Sequence, residues 1–262
     1  MRKVGLMIIL LLMAVAPALA IGEEKETTEK LEYSFYIDPL AGPEKAEFEM
    51  ILQNLGDTEL SFEFPTSQKY EITVEDGSKQ KVFQYSEGKS FAQAFETVTL
   101  KPQEKVKWVE VWDYSAEGKR LPEGEYSVTA QLRATSVNGK TVGDKKLLTD
   151  TKIMYIPGEN PVFKNITSEG GKGIYKVMGE VRPINGKFYY TVEDGHNQLI
   201  AETEVISGTK YPQWKPFTLE VSITESKLPQ NGSVILNLYE RSKDGEIMHT
   251  YPVLLERFNP NK

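Results

Sequence analysis

Apolar and polar residues alternate in short runs along most of the chain, and this pattern predicts half-buried β-strands. In one run, Phe48, Met50 and Leu52 occupy every second position. Other runs in the first half cover residues 60–64, 70–74, 82–85, 94–100, 106–112 and 126–132, and a last strand ends near residue 154. In the second half they cover residues 175–181, 188–192, 199–206, 217–223, 234–239 and 251–258.

Turn sequences separate these runs. The pentapeptide Thr-Val-Glu-Asp-Gly occurs at residues 73–77 and 191–195, and Asn-Gly or Asp-Gly also occurs at 138–139, 185–186 and 244–245. Both dipeptides favour tight hairpins, because a primed turn needs a positive φ that Asp and Asn tolerate and Gly adopts freely. Neither half contains a long run with the apolar spacing of an amphipathic helix. The sequence therefore predicts an all-β fold of two antiparallel, immunoglobulin-like β-sandwich domains in tandem after a signal peptide.

The N-terminal residues have the three-part layout of a secretory signal. Arg2 and Lys3 precede an apolar run over residues 4–16, Pro17 breaks it, and residues 18–20 (ALA) supply small side chains for a signal peptidase. The apolar run is shorter than the about 20 residues of a transmembrane helix, so we expect cleavage, with an uncleaved anchor as the alternative. We expect a secreted protein, or one of the extracytoplasmic bacterial cell envelope.

Changes in composition divide the chain. We assign residues 1–20 to the signal peptide and residues 21–30 (IGEEKETTEK), which are charged and lack periodicity, to a flexible leader. Residues 156–161 (IPGENP) carry two prolines and a glycine without apolar periodicity, which is typical of a linker. The expected domains therefore span residues 31–155 and 162–258.

Composition disfavours most catalytic and cofactor chemistry. The chain has no cysteine and only two histidines, so it forms no disulfide and offers few ligands for zinc. Its 31 Lys and Arg against 38 Asp and Glu give a net charge of −7 without a basic stripe, which argues against nucleic acid and anionic membranes. We expect no enzyme, metal or cofactor, and no membrane insertion beyond the signal segment.

Several single residues have two interpretations. His196 follows an Asp-Gly turn and His249 lies in a strand-like stretch, so structural roles are favoured over metal binding or proton transfer. Acids that alternate along predicted strands are favoured as solvated faces over paired catalytic carboxylates. These acids are Glu47, Glu49, Glu202 and Glu204.

The tryptophans are also open to two interpretations. Trp108 and Trp112 lie four residues apart and share one face of a predicted strand, where burial in the core is favoured over an aromatic platform for sugars or peptides. Trp214 lies between two proline-containing pairs, where plugging the second sandwich is favoured over facing a ligand.

The first half resembles the BsuPI proteinase inhibitor family. The resemblance rests on residues 62–70 (FEFPTSQKY), 74–77 (VEDG), 83–94 (FQYSEGKSFAQA) and 121–126 (LPEGEY). Coverage is about 90 residues, and the order of the blocks is fairly specific. The resemblance implies inhibition of a serine protease.

The second half is similar to the immunoglobulin-like domain of bacterial spore germination proteins. The matching residues are 175–181 (YKVMGEV), 190–195 (YTVEDG), 214–217 (WKPF) and 239–245 (YERSKDG). This resemblance implies an antiparallel sandwich used in the cell envelope, without catalysis. It identifies no ligand, because one sandwich fold serves many functions.

A polar connection in the first half is the candidate partner-binding site. Its residues are Tyr85, Ser86, Glu87, Gly88, Lys89 and Phe91, together with Ser90. A substrate-like inhibitor presents an extended, preorganised loop whose side chain fills the specificity pocket of the protease. Tyr85 or Phe91 would suit a subtilisin-like pocket and Lys89 a trypsin-like one, whereas the alternative is an ordinary surface loop.

The sequence is compatible with three functions. The first is a secreted, non-enzymatic proteinase inhibitor that acts through its N-terminal sandwich on a serine protease. The alternative is a protein-interaction module of the cell envelope or spore that has no inhibitory activity, and a third hypothesis is carbohydrate binding through the tryptophan face. The partner is in each of the first two cases a protein.

Overall fold

The computed structural model describes residues 32–143 and 145–258. The predicted signal peptide and the whole of the leader lie outside the described residues, as does the start of the predicted first domain at residue 31. Among the described residues about 60% are in strands and 2% in helices, and every strand pairing is antiparallel, so the predicted all-β class is confirmed.

The strands of the first half are β1 (Tyr33–Ala41), β2 (Ala46–Asn54), β3 (Leu60–Phe64), β4 (Tyr70–Glu75), β5 (Lys81–Gln84), β6 (Glu96–Leu100), β7 (Lys105–Trp112), β8 (Ser115–Ala116), β9 (Lys119–Arg120), β10 (Gly124–Leu132), β11 (Ser136–Val137), β12 (Lys140–Thr141) and β13 (Thr149–Ile156). They form sheets in the orders β1-β2-β7, β13-β10-β4-β5 and β12-β11-β3-β6, with a small β8-β9 hairpin. A 3-10 helix, Lys145–Leu148, precedes β13.

The strands of the second half are β14 (Phe163–Gly171), β15 (Ile174–Val181), β16 (Lys187–Glu193), β17 (Gln198–Ile206), β18 (Lys215–Ser222), β19 (Gly232–Arg241) and β20 (Ile247–Phe258). The sheets β14-β15-β18 and β17-β16-β19-β20 enclose a core to which both contribute, for example with Val177 on one and Leu236 on the other. A 3-10 helix, Glu225–Lys227, follows β18.

Strict alternation explains why β2 forms where the sequence predicts it. Its side chains alternate between fully buried and half-buried positions along all nine residues, and Phe48, Met50 and Leu52 are 0% exposed. Because successive side chains of a strand point to opposite faces, a period of two places all three in the core. Burial of each of these side chains contributes about 1.5–3 kcal/mol to stability.

The repeated pentapeptide folds in two different ways. In the second copy Gly195 adopts φ 87° and the Asp194 N–H donates to the Asn197 carbonyl, which is the tight hairpin that the sequence predicts. In the first copy the left-handed residue is Lys79, at φ 66°, and not Gly77. There the Asp76 carboxylate accepts hydrogen bonds from Ser78 and Gln80, and this longer loop corrects the predicted turn.

The two halves contact each other through charged and polar side chains. The Glu44 carboxylate accepts hydrogen bonds from the Asn165 N–H (2.7 Å) and the Tyr251 hydroxyl (2.9 Å). Arg257 donates to Glu47 and Glu49, in both cases over 2.7 Å. Glu47 and Glu49, which the sequence assigns to a solvated strand face, therefore bind a cation of the second half.

Candidate functional site

The candidate site is the connection between β5 and β6, and we call residues 85–95 the 85–95 segment. Within it Tyr85, Ser86 and Phe91 are half-buried, whereas Glu87, Gly88, Lys89 and Ser90 are exposed. A turn carries the chain away from β5, with Gly88 at φ 69° and the Lys89 N–H donating to the Ser86 carbonyl (3.1 Å). The positive φ at Gly88 is a conformation that glycine adopts without strain.

Glu71 on β4 braces the start of the 85–95 segment. One of its carboxylate oxygens accepts the backbone N–H of Ser86 (3.0 Å), and the other accepts the side-chain amides of Gln68 (3.1 Å) and Gln84 (3.4 Å). Burial raises the pKa of Glu71, but the hydrogen bonds from Ser86 and the two glutamines lower it by more, so the pKa lies below its usual value. The brace is therefore a charged acceptor at neutral pH.

Aromatic side chains fix the half-buried part of the 85–95 segment. The Tyr85 ring centroid lies 5.0 Å from that of Tyr70 and 6.1 Å from that of Phe91. Tyr70 also packs against Trp108, with 5.8 Å between ring centroids. Tilted ring pairs at these separations stabilise a fold beyond simple area burial, so this cluster holds Tyr85 and Phe91 against the body of the module.

Lys89 is also held by its neighbours. Its ammonium lies 3.4 Å from the Tyr85 ring centroid and 3.8 Å from a Glu110 carboxylate oxygen. The other Glu110 oxygen accepts the Tyr70 hydroxyl (2.7 Å). Burial, followed by this hydrogen bond to a carboxylate, raises the pKa of Tyr70. The three side chains that the sequence assigns to a specificity pocket, Tyr85, Phe91 and Lys89, thus all contact the module itself.

The rest of the segment is extended. From Lys89 to Phe95 the chain has neither a turn nor a bend, and residues 92–95 are all exposed. Ala92 and Ser67 fix its middle, because the Ala92 N–H donates to the Ser67 hydroxyl (2.9 Å) and the Ser67 N–H donates to the Ala92 carbonyl (3.0 Å). The sequence begins the next strand at residue 94, but β6 begins at Glu96, which corrects that boundary.

Phe95 is the feature that the sequence analysis missed. Its side chain is 83% exposed at the end of the extended stretch. Val98 and Leu100 on β6 point inward, so a residue at an odd position, such as 95, points to the solvent side. The signal in the sequence that could have identified Phe95 is an aromatic residue at a position where the alternation of residues 94–100 places polar side chains.

The two histidines lie apart from this segment. His196 is exposed at its hairpin, where its N–H donates to Asp194 (2.9 Å). The His249 ring Nδ1 lies 3.0 Å from the buried Glu240 carboxylate, whose other oxygen accepts the Ile184 N–H (2.6 Å). Within residues 32–143 and 145–258, no three histidine, aspartate or glutamate side chains are grouped so that they could hold a metal ion.

The tryptophans do not form an open platform. Trp112 is buried, as expected, and its ring packs on Phe48 and Phe83, whereas Trp108 is only half-buried. Trp214 does not plug the second sandwich: it is half-buried outside the core, with the Lys164 ammonium 4.4 Å and the Arg182 guanidinium 4.3 Å from its ring. Trp214 precedes β18 and is not part of that strand, and its indole ring lies against these two cations.

A shallow cavity of about 510 Å³ lies on the β17-β16-β19-β20 sheet. Five of its polar side chains bind one another: Asn237 donates to Glu193 (2.9 Å), and Tyr239 and Arg241 both donate to Glu202. Because these groups are already paired, a ligand would have to displace protein hydrogen bonds in order to form its own.

Three buried tyrosines should make the folded protein less stable at alkaline pH. Burial raises the pKa of Tyr114, and burial with hydrogen bonds to Glu256 and Glu202 raises those of Tyr175 and Tyr239, each to about 12. Tyrosines in the unfolded chain lose their protons near pH 10, whereas these three keep theirs up to about pH 12 in the folded protein. Between pH 10 and 12 each of them therefore lowers the free energy of unfolding by about 1 kcal/mol per pH unit.

Urea unfolding at pH 9 and pH 11 measures this loss. The free energy of unfolding should be lower at pH 11, and Tyr175→Phe should reduce the difference, whereas Tyr155→Phe, at an exposed position, should not. Equal stability at the two pH values would contradict the prediction.

Two family models match the chain. Residues 37–137 match the family described as intracellular proteinase inhibitor, BsuPI, and residues 167–246 match the family described as immunoglobulin-like domain of bacterial spore germination, Gmad2. The chain carries a BsuPI module followed by a Gmad2 module. Both resemblances that the sequence indicated, and their order, are thereby confirmed, and the 85–95 segment belongs to the BsuPI module.

Apart from the two family models, the similarity of the chain to known proteins is weak. No curated protein matches the chain. Among solved structures, the chain is similar to red sea bream transglutaminase (11% identity, TM-score 0.30, 87% of this chain and 31% of that one). It is also similar to a β-glucosidase from Kluyveromyces marxianus (14% identity, TM-score 0.28, covering 48% of this chain and 14% of that one). A further match is a β-galacturonidase from Eisenbergiella tayi (15% identity, TM-score 0.24, covering 81% of this chain and 36% of that one). The chain spans well under two thirds of each, and these likenesses carry no functional argument.

Among the described residues, no helix combines the length and the apolar composition that crossing a membrane requires.

Proposed function

We propose that the BsuPI module inhibits a serine protease by presenting the 85–95 segment as a substrate-like loop. The observation that carries this proposal is an extended, exposed stretch held at both of its ends. Ser67 binds Ala92 at one end of this stretch, Glu96 pairs with Phe64 at the other, and Glu71 binds Ser86 at the start of the segment. The match to an inhibitor family supports the proposal, and it supports a protein as the partner.

The physical reason is preorganisation. A flexible loop loses conformational entropy when it enters a protease cleft, whereas a loop that is already extended loses little. The bonds between Ser67 and Ala92 and the pairing of Glu96 with Phe64 also hold the chain in place on both sides of residues 93–95. A cleaved loop would therefore stay in the cleft, and resealing of the bond would compete with release of the fragments.

We also propose that the protein performs no catalysis of its own. In support, the module belongs to a family of inhibitors, and the candidate segment offers hydrogen-bond partners and aromatic contacts instead of an activated nucleophile. The hydroxyl of Ser86, for example, accepts from Gln84 (2.9 Å) and has no histidine beside it. A nucleophilic serine would need such a base within hydrogen-bond distance.

Titration of purified protein against a subtilisin-type, a chymotrypsin-type and a trypsin-type protease tests the proposed inhibition. We expect stoichiometric, competitive inhibition of at least one of them at or below micromolar concentration. The absence of inhibition of all three at micromolar concentration would contradict the proposal.

We propose that the chain acts outside the cytoplasm, although the BsuPI family is described as intracellular. Arg2, Lys3 and the apolar run that ends at Pro17 support export, as does the Gmad2 module. We further propose domains at residues 31–155 and 162–258, joined by the linker 156–161. Both family matches, 37–137 and 167–246, lie inside these bounds.

The second candidate function is a protein-interaction role in the cell envelope or spore, without inhibition. The Gmad2 match favours it, because that family is described by its occurrence in spore germination. Fractionation of cells and spores tests it, with the protein followed by immunoblot. Enrichment in the envelope or spore fraction would support this role, whereas recovery only from the culture medium would contradict it.

A further inference from the structure

Phe95 is exposed to an extent that is unusual for a phenylalanine. Its side chain is 83% exposed, more than the exposed Ile174 (71%) or Tyr211 (60%) of the second half. Large aromatic side chains contribute strongly to stability when they are buried, so leaving one in water forgoes one of the larger gains that a fold can make. A partner that buries the ring would recover that gain.

The backbone on both sides of Phe95 is fixed. Ala92 is bound through both its N–H and its carbonyl to Ser67, and Glu96 pairs with Phe64 where β6 joins β3. The Glu96 carboxylate also forms an ion pair with Lys69. Only residues 93–95 lie between these two anchor points, so the position of the Phe95 ring is restricted before any partner arrives.

The free edge of β6 offers the rest of a substrate-like contact. In the described part of the chain, β6 lies at the end of its sheet and pairs only with β3. Unpaired N–H and carbonyl groups of an edge strand can bind another extended chain by strand addition. Proteases bind their substrates in extended conformation in this way, and residues 93–95 run directly into β6.

The neighbours of Phe95 leave its ring accessible. Ala94 is small, and in an extended chain its side chain points to the opposite face from that of Phe95. The charge of the next residue in the sequence, Glu96, is compensated by Lys69. By contrast, Tyr85 and Phe91 stack on each other, and the Lys89 ammonium covers the Tyr85 ring.

We infer that Phe95 is the side chain that fills the main specificity pocket of the target, and that the target is a serine protease whose pocket accepts large aromatic side chains. This inference rests on the proposed inhibitory function. It replaces Tyr85, Phe91 and Lys89 as the specificity-determining positions and assigns to them the role of positioning the loop.

Inhibition constants of the whole protein test the inference. Wild type, Phe95→Ala and Phe95→Lys are titrated against chymotrypsin, subtilisin and trypsin, with Ile174→Ala as a matched control that removes another exposed apolar side chain. Because Phe95 is exposed, its variants should fold, which far-UV circular dichroism checks. We expect Phe95→Ala to weaken inhibition of chymotrypsin about 100-fold, in the range of a buried aromatic anchor, and Ile174→Ala to leave it unchanged.

A change of specificity would support the inference further. Phe95→Lys should lose inhibition of chymotrypsin and gain inhibition of trypsin, whose pocket accepts a cation. If wild type inhibits chymotrypsin or subtilisin and Phe95→Ala inhibits it equally well, the inference is wrong and the proposed function stands. If wild type inhibits none of the three proteases, the proposed function is wrong and the inference falls with it.

Size-exclusion chromatography of the same variants examines another occupant. A wild-type dimer that Phe95→Ala converts to a monomer would show that a second copy of the chain covers the ring, and this would overturn the inference. A wild-type monomer at the concentrations used for inhibition would support it.

Discussion

Replacing Glu71 with alanine should convert the protein from an inhibitor that resists its protease into a substrate that is cut between residues 85 and 96. The substitution removes the carboxylate that accepts the Ser86 N–H and the side-chain amides of Gln68 and Gln84. Hydrogen bonds to a charged group each contribute about 1.5–3 kcal/mol, and the freed donors stay partly shielded from water. The loop should therefore lose its fixed conformation.

The expected size of the effect follows from that loss. If the alanine variant must order the segment on binding at a cost of about 1.5–3 kcal/mol, its inhibition constant should rise by about 10- to 100-fold. The measurement combines inhibition assays with mass spectrometry of the inhibitor after incubation with the protease. Cleavage between residues 85 and 96 should be faster in the variant than in the wild type.

Two further variants control for this experiment. Glu71→Gln retains an oxygen for the Ser86 N–H and should have an intermediate effect. Glu75→Ala removes a carboxylate from the same face of β4, outside the contacts of the loop, and should inhibit like the wild type. If Glu71→Ala shows unchanged inhibition and no additional cleavage, Glu71 does not brace an inhibitory loop.

Replacing Asn54 with alanine should lower the free energy of unfolding by about 2–4 kcal/mol, because several buried polar groups would lose their partner. Asn54 is 0% exposed at the end of β2. Its Nδ2 lies 2.7 Å from the Thr58 carbonyl, 3.1 Å from that of Leu100 and 3.0 Å from that of Lys101, and its Oδ1 accepts the Gly56 N–H (3.0 Å). One side chain thus joins the β2–β3 turn to the end of β6.

Urea unfolding followed by tryptophan fluorescence measures this effect, since all three tryptophans lie in structured regions. Asn197→Ala at an exposed hairpin is the control and should change stability by less than about 0.5 kcal/mol. A similarly small change for Asn54→Ala would show that the buried amide does not stabilise the module.

Alternation was sufficient to predict most strands but not all of them. β2 alternates strictly, and its core residues were identified from the sequence alone. β1 was missed because Pro39 and flanking polar residues interrupt its pattern. β14 was missed because its register shifts between Lys164 and Thr167 and its last residues are Glu-Gly-Gly.

The sequence led to the candidate segment but not to the contacts that fix it. Resemblance and loop composition led to residues 85–91, whereas the roles within the segment depend on contacts that are distant in sequence. Glu71 reads as an ordinary polar position of β4, and only the fold brings it to Ser86. Likewise, Phe95 reads as part of a strand, and only the fold shows that β6 begins after it. Local patterns do not encode such pairings.

Hydrogen–deuterium exchange of the complex tests the central claim most directly. The whole protein is compared alone and with a protease of the inhibited class whose catalytic serine has been replaced by alanine, so that the loop binds without being cut. The account predicts a complex in which protection increases most in peptides that cover residues 84–96. Failure to form a complex, or protection confined to other parts of the chain while residues 84–96 exchange as in the free protein, would contradict it.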